Sequence, residues 1–174
     1  ELAQAGVSAE VAGWMAAAEA AVAAGPATLT PYLLVESGDD RVVDRRLNRF
    51  LPLEPFSPYA PLFFDGSLAR DFLADTFEPL ALTAFGVVAP GLRLELPLGG
   101  AGLEVAATAL RTQRAAPGGH ELGWDWDAGL AGELGRRWGW ALDLQLLRPG
   151  AVVAELAGAT PTVALAGLTV RYRF

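Results

Sequence analysis

From Thr162 to Phe174 the side chains alternate in character with a period of two, which belongs to an extended strand and not to a helix. Thr162, Ala164, Ala166, Leu168, Val170, Tyr172 and Phe174 fall on one face; Val163, Leu165, Gly167, Thr169, Arg171 and Arg173 fall on the other. The first face is apolar and ends in aromatic rings, while the second ends in two arginines. Such a strand commits a whole set of side chains to one environment, so its neighbours must carry the same pattern.

They do. Between Glu121 and Leu134, Leu122, Trp124, Trp126, Ala128, Leu130 and Leu134 alternate with the acidic Glu121, Asp125, Asp127 and Glu133. Gly135-Arg136-Arg137 reads as a tight reversal, followed by Trp138, Trp140, Leu142, Leu144 and Leu146 opposite Gly139, Ala141, Asp143 and Gln145. Arg148-Pro149-Gly150 is a turn by its Pro-Gly chemistry. Ala151 to Gly158 then reads as a short strand with Val152, Ala154 and Leu156 against Val153, Glu155 and Ala157. With the closing segment these make a four-strand antiparallel meander. Upstream, Leu92, Leu94, Leu96 and Leu98 oppose Arg93 and Glu95, and Leu103, Val105, Ala107 and Ala109 oppose Glu104, Ala106 and Thr108. Leu80 to Ala89, ended by Pro90-Gly91, and Thr28 to Glu36 complete eight strands.

Eight antiparallel strands have two barrel solutions of opposite sense. A soluble barrel fills its interior with the apolar face, whereas a membrane barrel turns that face to lipid and lines its lumen with the polar one. The closing strand, with Leu168, Val170, Tyr172 and the aromatic end Phe174 on one side, resembles the C-terminal signature of bacterial outer-membrane β-barrels. In that class the insertion machinery reads the aromatic end. The resemblance implies an all-β fold, an antiparallel up-and-down transmembrane β-barrel in the bacterial outer membrane. Its partners would be membrane lipid, lipopolysaccharide included, and that machinery. Trp124, Trp126, Trp138, Trp140, Tyr172 and Phe174 are then the membrane-interface aromatics. The strand count places Phe174 on the rim of Trp124 and Trp126, with Trp138 and Trp140 on the opposite one. Arg93, Glu95, Asp125, Asp127, Glu133, Asp143, Glu155, Arg171 and Arg173 form a charge network inside the lumen, where both signs are needed for mutual neutralisation.

The chain is 52% hydrophobic and 19% charged, the latter below the roughly 25% of ordinary soluble domains. No apolar run is long enough for a transmembrane helix. A net charge of -7 argues against nucleic acid as a partner. Cysteine is absent, and all thirteen basic residues are arginine. The opening at Glu1, with no basic or apolar leader, fits a chain whose signal peptide has been removed.

Residues 1–26 differ from the barrel domain, 27–174. Ser8 is placed to cap a helix running to about Ala24, with Val11, Trp14, Met15, Ala18 and Val22 as its apolar stripe and Gly25-Pro26 as its stop. Residues 37–79 form a long irregular loop, with a charge cluster from Asp39 to Arg49 and a short helix from Ser67 to Phe77. Chemistry is sparsely marked: His120 is the only histidine, no nucleophile motif accompanies it, and no cofactor or metal motif is present. The reading that follows is a non-catalytic structural, anchoring or surface-binding role. A lipid-modifying outer-membrane enzyme using His120 with a serine, and a soluble barrel binding an apolar ligand, are the alternatives.

Overall fold

The computed structural model describes residues 10–39, 46–47, 85–158 and 161–173. Its strands are β1 (Glu10–Val11), β2 (Met15–Glu19), β3 (Val22–Ala24), β4 (Ala27–Glu36), β5 (Arg46–Leu47), β6 (Val87–Leu98), β7 (Ala101–Ala116), β8 (Gly119–Leu134), β9 (Trp138–Pro149) and β10 (Val163–Tyr172), with one helix, α1 (Ala151–Ala157). Eight strands form a single up-and-down antiparallel sheet in the order β10-β9-β8-β7-β6-β4-β2, and β3 lies beside β4 beyond β2. The sheet is therefore seven strand positions wide and is not closed. β1 and β5 make a separate two-residue parallel pair.

Sheet pairing overrides local preference at the N-terminal end. The residues expected to form a helix to Ala24 are instead β2 and β3 from Met15 onward, laid along the edge of β4, and Gly25-Pro26 is the hairpin turn that follows. The alanines favour a helix, but a short isolated helix is marginal in water, whereas pairing here satisfies the polar backbone of β4. Two bonds fasten this end: the Trp14 amide donates to Ser37 Oγ at 2.8 Å and the Ser37 amide to the Trp14 carbonyl at 2.9 Å. The helix expected at 67–77 and most of the charge cluster from Asp39 to Arg49 lie outside the described residues.

Two other expectations are corrected. Pro90-Gly91 does not end a strand, because β6 runs through it from Val87 to Leu98; the pairing with β7 lapses between Val88 and Gly91, where the missing proline N–H costs no ladder bond. Ala151 to Ala157 is a helix and not a strand. A strand would turn Val152 and Val153 to opposite sides, but the helix buries both, against Leu34, Val87, Ala89, Leu110 and Leu122. These core residues come from β4, β6, β7 and β8, and the helix packs chiefly on β8.

Leu122 reaches that core through a β-bulge. Leu110 pairs with Gly123 and Arg111 with Glu121, which leaves Leu122 as the extra residue. The bulge inverts the alternation, so Leu122 is fully buried although Trp124, two residues on, is exposed. Gly123 permits it with φ +146°, where a Cβ would overlap the Arg148 carbonyl. Truncating Leu122 to Ala is expected to cost about 2–5 kcal/mol in denaturant unfolding. The same change at Leu168, 68% exposed on the sheet, removes no contact from this core and should cost less. Equal costs at the two positions would show that the α1 core does not carry the stability.

Candidate functional site

Two ends of the sheet are distinguished by their connections. At one, the open end, the turns between β3 and β4, β6 and β7, and β8 and β9 are two or three residues long. At the other, the capped end, lie α1, the β7–β8 turn and the residues that follow β4.

Register makes the outer face continuous. Pro31, Leu92, Ala107, Trp126, Leu146 and Ala164 lie side by side across six strands, and the next row toward the open end is Leu29, Leu94, Val105, Ala128, Leu144 and Ala166. Leu130, Leu142 and Leu168 follow, then Leu134, Trp138 and Tyr172 at the open end. Leu134, Leu142, Leu144, Leu168 and Val170 are among the most exposed side chains of this face.

The opposite face is polar, and it is the buried one. Thr30, Tyr32, Glu36, Thr108, Thr112 and Asp125 are all buried there, Thr108 and Asp125 completely. Tyr32 pairs with Gly91 and Gly91 with Thr108, so the phenol crosses a glycine to reach the strand beyond it, and Tyr32 Oη meets Thr108 Oγ1 at 2.5 Å. A Cβ at Gly91 would overlap the tyrosine ring. The Arg93 guanidinium lies 5.8 Å from the centre of the same ring and pairs with Glu104 at 3.9 Å.

The predicted lumen charges fall into separate groups. Glu95, Asp127 and Asp143, with Glu104, line a cavity of about 670 Å³ together with Thr28 and Gln145. Arg93 is the cation of that region, reaching Glu104. Asp125 is buried nearer the capped end, across from Thr108 and Leu147. Glu133, Arg171 and Arg173 sit apart at the open end, where Arg173 Nη1 meets Glu133 Oε1 at 3.3 Å with both side chains exposed. Glu155 is on α1, so the strand position expected for it is corrected with that element. Glu104 was legible as an inward position in its strand, but its closeness to Arg93 depends on the register.

The aromatics occupy both ends of the outer face in a grouping that differs from the one expected. With a helix where a strand was expected, β9 pairs directly with β10 and Tyr172 lies across from Trp138. Trp138, Trp140 and Tyr172 are therefore at one end, with the Trp138 and Tyr172 rings 4.7 Å apart. Trp124 and Trp126 are toward the other end, their rings stacked at 6.0 Å, and Trp124 lies across from Arg148. Phe174 is outside the described residues.

His120 Nδ1 lies 3.1 Å from the Thr112 carbonyl and 3.3 Å from Thr112 Oγ1, which makes Thr112 its partner among the described residues. The described serine, Ser37, has its hydroxyl engaged by the Trp14 amide. Among the described residues no cluster of three or more His, Asp or Glu is arranged to hold a metal ion.

The Tyr32–Thr108 bond gives a direct test of the buried polar face. Tyr32→Phe is expected to cost about 1–3 kcal/mol by leaving the Thr108 hydroxyl buried and unbonded. The double variant with Thr108→Val should cost less than the two single changes added together; strict additivity would deny the bond. Compared with known proteins, the chain matches no family model, no curated protein and no solved structure.

Proposed function

We propose that this chain is a small transmembrane β-barrel of the bacterial outer membrane, with a structural, anchoring or surface-binding role and no catalysis. The observation that carries the reading is the sense of burial: outside the small core at α1, threonines, a tyrosine and carboxylates are covered on one face while the leucines and valines of the other are exposed. Each Leu or Val left in water forfeits about 1.5–3 kcal/mol. More than a dozen large apolar side chains stand exposed, so the total exceeds the roughly 5–15 kcal/mol by which folded domains are stable. Lipid covers such a face without a protein partner.

Dimensions agree. The outward residues of β10 from Ala164 to Tyr172 span about 27 Å along the strand, or about 20 Å of height at the usual barrel tilt. Aromatic rings at each end extend this toward the roughly 25 Å apolar band of such barrels. The tight turns of the open end match periplasmic turns and the long connection after β4 an extracellular loop. The side chains of a lumen this narrow fill it, so conduction is not its task. A soluble barrel for an apolar ligand would need the reverse order of burial.

Closure is constrained by direction. β2 and β10, the two edges, run the same way, so pairing them directly would be parallel. A second copy inserted with the same orientation presents the same direction and meets the same difficulty. These two edges therefore cannot close the sheet by an antiparallel pairing with each other.

Three measurements test this reading. The chain should refold to a β-rich, heat-modifiable species in detergent and fail to do so in plain buffer; a monodisperse folded protein in buffer alone would end the membrane assignment. In vesicles, Leu168→Arg at mid-height of the outer face should cost about 2–4 kcal/mol, and Gln145→Arg on the inner face much less; the opposite order would turn the sheet inside out. Because the chain lacks cysteine, Ala18→Cys can be paired in turn with cysteine at Ala166, Leu168 or Val170. A disulfide in any of these pairs would establish direct parallel closure, and none is expected if the β2 and β10 edges stay unpaired.

A further inference from the structure

The two ends of the sheet differ in charge. At the open end, Arg136 and Arg137 stand in the β8–β9 turn, and Arg171 and Arg173 are at the end of β10, which pairs with β9 through Arg171 and Gly139. Glu133 is the carboxylate among them. At the capped end Arg111, Arg114 and Arg148 are accompanied by Glu36, Asp39, Glu121 and Glu155. Among the described residues, the open rim thus carries four arginines with one carboxylate beside them, although the net charge of the chain is -7.

That rim is built as a unit. The Arg173 amide donates to the Arg137 carbonyl at 2.9 Å, tying the turn to the end of the last strand. Arg137 Nη1 donates to Tyr172 Oη at 3.1 Å, a neutral acceptor that occupies one of its five donors and leaves the charge uncompensated. On the inner side of this rim is a cavity of about 390 Å³ lined by Glu133, Thr169, Arg171 and Arg173, where Gly139 contributes no side chain between Glu133 and Arg171; Arg171 therefore faces inward, and the outward part of the rim is the β8–β9 turn. The Arg173–Glu133 ion pair there is exposed, and such a pair contributes little, so an incoming anion displaces it at small cost. Guanidinium groups match phosphate oxygens in pairs, and the Trp138 and Tyr172 rings lie immediately below, at the depth where a headgroup meets the acyl region.

We infer that the rim formed by Arg136 and Arg137 in the β8–β9 turn, with Arg173 at the end of the last strand, binds the phosphate of an anionic phospholipid in the leaflet that the open end meets. The inference rests on the membrane reading above. The source of the phosphate is the bilayer: Arg137 is bonded to Tyr172, one of an aromatic pair on the outer face, where a lipid headgroup would be at high local concentration.

The test is the thermal midpoint of the folded, heat-modifiable species in vesicles of phosphatidylcholine alone and with one lipid in five replaced by phosphatidylglycerol. The anionic lipid should raise the midpoint of the unaltered chain by about 5 °C, and 0.5 M sodium chloride should remove most of the rise. In Arg136→Gln/Arg137→Gln/Arg173→Gln the rise should vanish. It should persist in the charge-matched Arg111→Gln/Arg114→Gln/Arg148→Gln at the capped end. Replacing the same three rim residues by lysine should restore part of it, and all variants are compared only after folding in phosphatidylcholine is verified. Equal loss in the two glutamine triples would overturn the site, leaving general charge attraction. A rise reproduced by inorganic phosphate in neutral vesicles would overturn the lipid assignment in favour of a free-anion site. Failure to insert in phosphatidylcholine would refute the membrane reading itself, whereas insertion without any response to phosphatidylglycerol refutes this inference alone.

Discussion

In a strand, successive side chains point to opposite faces, and a sheet therefore has to place two chemically different surfaces at once. Here the tension is resolved in the sense opposite to that of a water-soluble core. The face of Thr30, Tyr32, Thr108 and Asp125 is covered, and the face of Leu142, Leu168 and Val170 is not. Everything else about the molecule follows from accommodating that order. Covered polar groups demand partners, which explains why Tyr32 reaches across Gly91 to Thr108 and why Arg93 is held between Glu104 and the tyrosine ring.

At the capped end the rule is relaxed by two local devices. A bulge at Leu122 inverts the alternation for the last residues of the β7–β8 hairpin, and α1 lays Val152 and Val153 on the same side. Together they create a small apolar core inside a face that is otherwise polar. The Gly150 amide donates to the Leu122 carbonyl at 2.7 Å, so the start of the helix is bonded to the bulge it packs against. Neither device works without the other: the helix gives Leu122 a partner, and the bulge turns Leu122 toward the helix.

Where a segment's periodicity was long, the sequence was a sufficient guide. β7, β8, β9 and β10 carry five or more alternations each, and the faces read from Leu103, Trp126, Leu142 and Leu168 are the faces that the register aligns. Short segments were ambiguous for a physical reason. Ala151 to Ala157 is apolar at most positions, so periods of two and of 3.6 fit it equally, and only the presence of a core on one side selects the helix. Residues 15–24 present a helical stripe, yet the unpaired edge of β4 recruits them as strands. The grouping of the aromatics depended on the first of these choices, since counting one strand too many transfers Tyr172 from the end of Trp138 to the end of Trp124. The separation of the inner charges into an acidic middle and a basic rim was not legible at all: the residues were identifiable as inward, but their neighbours across the sheet are fixed by register.

That separation bears on how the two faces communicate. Inner-face carboxylates Glu95, Glu104 and Asp143 lie level with one another across the sheet, two of them directly paired, and like charges in such positions repel. Moving arginines from the rim into this row would neutralise it, yet among the described residues only Arg93, in the neighbouring row, reaches it, and Arg136, Arg137, Arg171 and Arg173 stand at the open end. The arrangement sacrifices internal neutrality for a charged edge. An edge of that kind gains stability from something anionic outside the chain, and under the membrane reading proposed above the lipid that would cover the leucines would also supply that counter-charge.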